Sequence, residues 1–386
     1  NMALSKIDVA NMLTGATPIT NGGTGLTSNA LRPLSKPIIV NGDCSVAQRG
    51  TAIADESTSG VYRVDRMNVG LSNIGEFRMQ QETLSSGNAY NAGFKKAFRI
   101  DCVQADASPA SSDIGNMTYK IEGRDVQVFK KGTSSAETYT LAFWVKSNKT
   151  GTAQVNLVDS DNSRMVSANY TISSANTWEH KVLNYPADTT GAFDNDNAKS
   201  LEIEWALDAG SDFTSGAVPS AWESQANADR SVNDLALQDN TANDWAITGI
   251  QLEVGTFSST TLPPFQFESF GDNLERCQRY FVTVDTVGET QAGFPGRAFS
   301  GSGLMFAVPL PCALRAAPSA SLTGTIRAFD DAGTKDSTSN LSVTSYANTD
   351  SSIVMLQSTG FSSLSNDQSY NVMAINDTFY KLDAEL

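Results

Sequence analysis

The residues of this chain that could carry covalent chemistry are few and poorly spaced for it. His180 is the only histidine, and it lies in the strand-like segment Trp178–Leu183 (WEHKVL), with no Gly-x-Ser-x-Gly elbow in the chain to supply a nucleophile. It reads as a structural or surface side chain. Cys44, Cys102, Cys277 and Cys312 stand far apart without a Cys-x-x-Cys pair, which excludes a zinc site of ordinary spacing. They read as small buried apolar residues. Gly22-Gly23-Thr24-Gly25 has neither the lysine nor the strand-before, helix-after context of a phosphate loop, so it reads as a turn. Glu202 and Glu204 share one face of a strand pattern and read as its solvated side rather than as a glycoside-cleaving pair. No catalytic residue is assigned, and the chain reads as a non-enzyme.

Binding chemistry is better represented. Sugar rings stack on exposed aromatic faces while their hydroxyls pair with Asn, Asp and Gln. The useful aromatics are therefore those that interrupt a polar face or sit in a loop. Trp144, Trp178 and Trp222 meet that description and are the carbohydrate-binding candidates; Trp205 and Trp245 fall at core positions.

The charge balance narrows the partners. Lys and Arg total 27 against 42 Asp and Glu, a formal charge of −15, so a phosphate backbone or an anionic membrane surface would be repelled. Nucleic acid is excluded as a partner. No apolar run has transmembrane length and no basic-then-apolar leader is present, so no membrane insertion is expected.

The elements that must position these residues are strands. The chain is rich in Gly, Ser, Thr, Asn and Asp and only 18% charged, and its 386 residues suit two domains plus an appendage. Residues 1–35 are too poor in apolar side chains for a core: Ala3–Leu13 could form a short amphipathic helix and Thr14–Ser28 turns and extended chain. In residues 36–262 a short strand Pro37–Val40 stops at the turn Asn41-Gly42-Asp43. Tyr139–Ser147 and Lys199–Gly210 alternate apolar and polar residues, and weaker strands are expected at 97–103, 118–122, 126–130, 153–159, 168–172 and 179–184, with a closing strand at 247–254. Asp208–Thr241 reads as a long loop. Residues 263–279 read as a hinge with a short helix. Residues 280–386 should form a smaller sandwich with strands at 280–286, 297–308, 319–326, 340–346, 352–356 and 369–383. The fold class is all-β: a large antiparallel jelly-roll sandwich, then a smaller C-terminal β-sandwich, preceded by an extended N-terminal attachment segment.

Several stretches resemble a known family. Gly249–Gly255 (GIQLEVG), Pro264-Phe265 and Asp272–Tyr280 (DNLERCQRY) resemble a segment of tailed-bacteriophage tail-fibre and virion-surface proteins. So do the Leu4–Leu13 start, the Pro-x-x-Asn-Gly-Gly-Thr-Gly element at Pro18–Gly25, and the closing Lys381–Leu386 (KLDAEL). Asn41–Thr51 (NGDCSVAQRGT) resembles the opening of a jelly-roll carbohydrate-binding module in its phage version, except that aromatic residues usually stand where this chain has Cys44 and Ala47. The resemblance implies a structural virion protein that attaches to other virion proteins through residues 1–35, forms a homotrimer and binds host surface polysaccharide. It also implies a structural calcium site, for which Asp43 and Glu253 are the candidates; no other cofactor is implied. The alternatives are a capsid decoration or head-fibre protein, and a polysaccharide-degrading tail fibre.

Overall fold

A computed structural model describes residues 36–51, 54–57, 59–285, 293–322, 324–330, 333–338, 340–345, 351–375 and 379–386. The expected helix at Ala3–Leu13 and the whole attachment segment 1–35 lie outside the described residues.

Thirteen strands build the large sandwich: β1 (Ala54–Glu56), β2 (Val61–Tyr62), β3 (Asn68–Ser72), β4 (Glu76–Thr83), β5 (Lys96–Gln104), β6 (Ile114–Glu122), β7 (Tyr139–Ser147), β8 (Gly151–Asp159), β9 (Arg164–Ile172), β10 (Glu179–Tyr185), β11 (Lys199–Ala209), β12 (Glu223–Ser224) and β13 (Asp244–Val254). One sheet runs β1-β4-β5-β13-β7-β10 and the other β12-β9-β8-β11-β6-β3-β2, with every pairing antiparallel. The alternation explains the layering: Leu141, Phe143 and Val145 of β7 face Leu201, Ile203 and Trp205 of β11 across one buried core, while the intervening residues point outward. Trp205 and Trp245 are fully buried there.

Three expectations for this sandwich need correction. Pro37–Val40 is not a strand. Ile38, Ile39 and Val40 are buried as irregular chain, held by Tyr119, whose hydroxyl accepts from Val40 N (2.7 Å) and donates to Val40 O (2.9 Å). Residues 126–130 are not a strand either. They belong to two 3₁₀ turns, Gly123–Asp125 and Gln127–Phe129, the second ended by Lys130 at φ 50°. Finally, the outer side of β11 is not wet: Glu204 is 2% exposed. The segment after β11, which includes helix α1 (Ser211–Thr214), folds back over that sheet. Arg230 pairs with Glu204 at 2.8 Å, its carbonyl accepts from Asn156 Nδ2, and the Asp229 carbonyl accepts from Gln154 Nε2. The 208–241 loop is therefore a roof over the seven-stranded sheet.

The terminal sandwich contains β14 (Phe281–Asp285), β15 (Phe294–Ser300), β16 (Gly303–Pro309), β17 (Ser319–Leu322), β18 (Thr325–Asp330), β19 (Gly333–Thr338), β20 (Ser342–Ser345), β21 (Ile353–Thr359), β22 (Ser369–Ile375) and β23 (Phe379–Asp383). The stretches 297–308, 319–326 and 369–383, each expected as one strand, are each two. A three-stranded sheet (β14-β23-β17) and a seven-stranded one (β19-β18-β22-β15-β16-β21-β20) enclose Val282, Leu304, Phe306, Ile326, Leu356 and Tyr380.

Helix α2 (Phe270–Gln278) joins the two sandwiches. Ser269 caps it by accepting from Asp272 N, Asp272 sits in its first turn and Arg276 in its last, each favourable to the helix dipole. Its Asn273 accepts from Asn41 N (3.0 Å) and donates to Asp43 Oδ1 (3.1 Å) and Ser45 Oγ (2.9 Å), while Arg279 grips the buried Glu122 through two 2.7 Å bonds. From the terminal sandwich, Asp383 pairs with Arg49 at 3.0 Å and Glu385 with Arg66. Asn41–Asp43, Asn273–Tyr280 and Asp383–Leu386 thus meet at one junction. The residues that carry much of the family resemblance hold two sandwiches together. Among the described residues no helix is long and apolar enough to cross a membrane.

Candidate glycan-binding face

The outer face of the six-stranded sheet is covered in part, since Ala97, Thr140, Ala142, Ala246 and Thr248 on it are fully buried, whereas Trp144 and His180 keep part of their surface exposed. Trp144 stands near its centre because β7 alternates: Phe143 and Val145 go to the core and Trp144 and Lys146 go outward. Cross-strand register sets its neighbours, His180 on β10 and Thr248 on β13. The Trp144 and His180 rings lie 4.9 Å apart at 32°, with Trp144 only partly buried. Burial lowers the His180 pKa, so the ring is neutral at neutral pH and serves as an aromatic and hydrogen-bonding surface.

Lys146, two residues on from Trp144, lines a cavity of about 360 Å³ together with Glu82, Asn88, Asn176 and Trp178; Trp144 and His180 themselves are not in its lining. Lys146 Nζ lies 3.0 Å from Glu82 Oε1 and 5.2 Å from the centre of the Trp178 ring. The charges in the groove are therefore paired, and its remaining donors and acceptors are amides and hydroxyls. Beneath lies a satellite apolar cluster of Leu84, Ala89, Phe94, Ala97, Trp178 and Ala246, against which Tyr90, Trp144 and Phe265 pack. Phe265 and Phe267 close on Phe94 with ring centres 4.9 and 5.1 Å from it, and Phe267 and Phe270 are 51% and 62% exposed. An apolar ring face flanked by amides and a neutralised ion pair can stack a pyranose and hydrogen-bond its hydroxyls.

The structure brings two of the three tryptophan candidates together and removes the third. Trp178 borders the groove but is 5% exposed, so it supports the platform rather than offering a free face. Trp222 is 8% exposed and belongs to the main core: its Nε1 donates to Pro186 O at 2.9 Å and its ring lies 5.8 Å from that of Tyr139. Its polar surroundings in the sequence predict a loop aromatic, but the roof turns its ring inward. The aromatics that sequence reasoning missed are Phe265 and Phe267. Their signal was the alternation Phe265-Gln-Phe267 directly after the Pro263-Pro264 break.

The calcium candidates lie on segments that touch, and each carboxylate has hydrogen-bond donors of its own. Ile250 N donates to Gly42 O at 2.9 Å, so the turn does lie against the last strand. Asp43 Oδ1, however, accepts N–H groups from Asn273 and Ser45, and Glu253 Oε1 accepts from Gln251 Nε2 at 2.9 Å. Among the described residues no group of three or more His, Cys, Asp or Glu could hold a metal ion, and all four cysteines are free, three of them buried.

No family model matches the chain, and no curated protein matches it. Among solved structures, it is similar to the enzymatically active domain of tailspike protein 4 from bacteriophage CBA120, at 15% identity and a TM-score of 0.27, covering 56% of this chain and 21% of that one. It is also similar to a CBM4 structure at 10% identity and a TM-score of 0.28, covering 55% of this chain and 97% of that one. A third similar structure is a sugar-binding protein of Bacteroides thetaiotaomicron, at 12% identity and a TM-score of 0.30, covering 57% of this chain and 100% of that one. The chain thus spans about a fifth of the tailspike domain it matches.

Proposed function

We propose that this chain is a non-catalytic glycan-binding protein on the surface of a tailed-phage particle, attached through residues 1–35 and assembled as a homotrimer. The glycan reading is carried by Trp144: a partly exposed indole tilted beside His180 on the outer face of the six-stranded sheet, packed on the same apolar cluster as Trp178, which lines a groove whose charges are paired. A neutral or weakly charged polysaccharide matches such a surface, and single-site contacts would be multiplied by copy number. The phage reading is supported by the resemblance at Asn41–Thr51, Gly249–Tyr280 and Lys381–Leu386.

The test is calorimetric titration of the whole chain with purified host surface polysaccharide, for the native protein and for Trp144→Ala. Loss of a stacking indole should weaken binding about tenfold or more, ~1.4 kcal/mol or above. Unchanged affinity in a folded variant would remove this face from consideration. No binding to any host polysaccharide or to host cells would remove the glycan reading, and a particle map without the chain would remove the phage one.

A further inference from the structure

The side chain of Lys131 is 0% exposed, as is that of Asp159, and its ammonium is surrounded by oxygen. Nζ lies 2.5 Å from Asp159 Oδ2, 3.0 Å from Asp188 Oδ2, 2.9 Å from Thr190 O and 2.8 Å from Gly191 O. These four oxygens come from the end of β8 and from the loop after β10, while Lys131 enters from the turn after Phe129. The cage is held by bonds that do not involve the lysine. Asp159 Oδ1 accepts from Asp161 N (3.0 Å) and Asn162 N (3.1 Å), Asp188 accepts from Arg164 Nε (2.8 Å) and Thr190 N (2.9 Å), and Gly191 at φ +71° turns the loop.

Two carboxylates and two backbone carbonyls, with no nitrogen or sulphur donor, are the donor set that hard cations select, and calcium takes such oxygens at about 2.3–2.6 Å. An ammonium with three N–H donors takes the same oxygens at slightly longer range. We infer that this is a calcium-type cation cage whose ion the chain supplies itself, as the Lys131 ammonium. Lys131 does the work of a structural metal, pinning the loops at this end of the large sandwich next to Trp222, whose ring centre lies 5.1 Å from Nζ. Vacating the cage leaves room and charge for a divalent ion, with water completing its shell.

The experiment is thermal unfolding of the native chain and of Lys131→Ala, each produced and measured in EDTA and in millimolar CaCl2, with MgCl2 and KCl at matched ionic strength. The native chain should melt at the same temperature in all four. Lys131→Ala should melt about 10 °C lower in EDTA, because buried Asp159 loses its cation and Asp188 keeps only Arg164, and CaCl2 should restore at least half of that loss with one ion bound per chain by calorimetry. Magnesium, which demands shorter bonds and tighter geometry, should restore less. Adding Asp159→Asn should abolish the recovery. The inference is overturned if calcium leaves Lys131→Ala unchanged, if KCl restores it equally, if the variant folds in neither EDTA nor CaCl2, or if the native chain itself is stabilised by calcium.

Discussion

The guanidinium of Arg66 lies 3.5 Å from the centre of the Tyr280 ring and pairs with Glu385, so a residue of the large sandwich is sealed between residues near the two ends of the terminal one. Arg66 is 2% exposed and Glu385 5%. A pair this buried contributes little net stability when intact but is costly to break from one side. Glu385→Ala should lower stability by about 3–5 kcal/mol, read as a shift in urea midpoint. If the junction couples the two sandwiches, native unfolding is a single transition and the variant separates it into two.

Trp222 gives the opposite kind of prediction from Trp144. It fills core space and donates to Pro186 O, so Trp222→Ala should cost about 3–5 kcal/mol in unfolding free energy. At temperatures where the variant remains folded, calorimetric polysaccharide affinity should stay at the native value.

Gly249 marks the irregularity in β13, between the paired residues Thr248 and Gln251, and adopts φ +63°. A methyl there would sit 2.6 Å from Phe94 Cζ, and Phe94 is already packed against Phe265 and Phe267. Gly249→Ala should therefore cost about 2 kcal/mol or more, from the left-handed backbone and the displaced ring. Near-ultraviolet circular dichroism should also change as the phenylalanine cluster shifts.

Asp208, buried beneath the roof, has its pKa raised from 3.8 to about 7, chiefly by loss of solvent, with the 2.7 Å bond from Gln238 N acting in the other direction. Because the folded state prefers the protonated acid, its stabilising contribution is complete below the unfolded pKa near 4 and is lost as pH rises through about 7. Urea unfolding at pH 5 and pH 8 should show a larger loss on alkalinisation for the native chain than for Asp208→Asn, which keeps the acceptor but cannot ionise.

Alternation along a strand reports which side faces a core, and it located the strongest strands: Tyr139–Ser147 was legible residue for residue, and Lys199–Gly210 to within one. What it does not report is what a later segment lays over the other side. Glu204 has the pattern of a solvated residue, yet Arg230 covers it from 26 positions away. Trp222 likewise sits in polar sequence yet is buried by the segment that contains it. The run Pro37–Val40 is apolar enough for a strand, but Tyr119 satisfies both polar groups of Val40, so the segment is buried without a ladder. For the candidate site, Trp144 was readable from its position on β7, whereas the role of His180 depends on register with β10, which one strand's sequence does not encode.

The order β5-β13-β7 within the six-stranded sheet has a bearing on synthesis. The strand at the middle of the sheet is the last of the thirteen to leave the ribosome, so until residue 254 emerges the sheet exists as two halves, each with an open inner edge. Nascent chains interrupted before Asp244 would present those edges to one another. Productive folding of this protein is thus a late, long-range event, and truncated products are its natural source of aggregates.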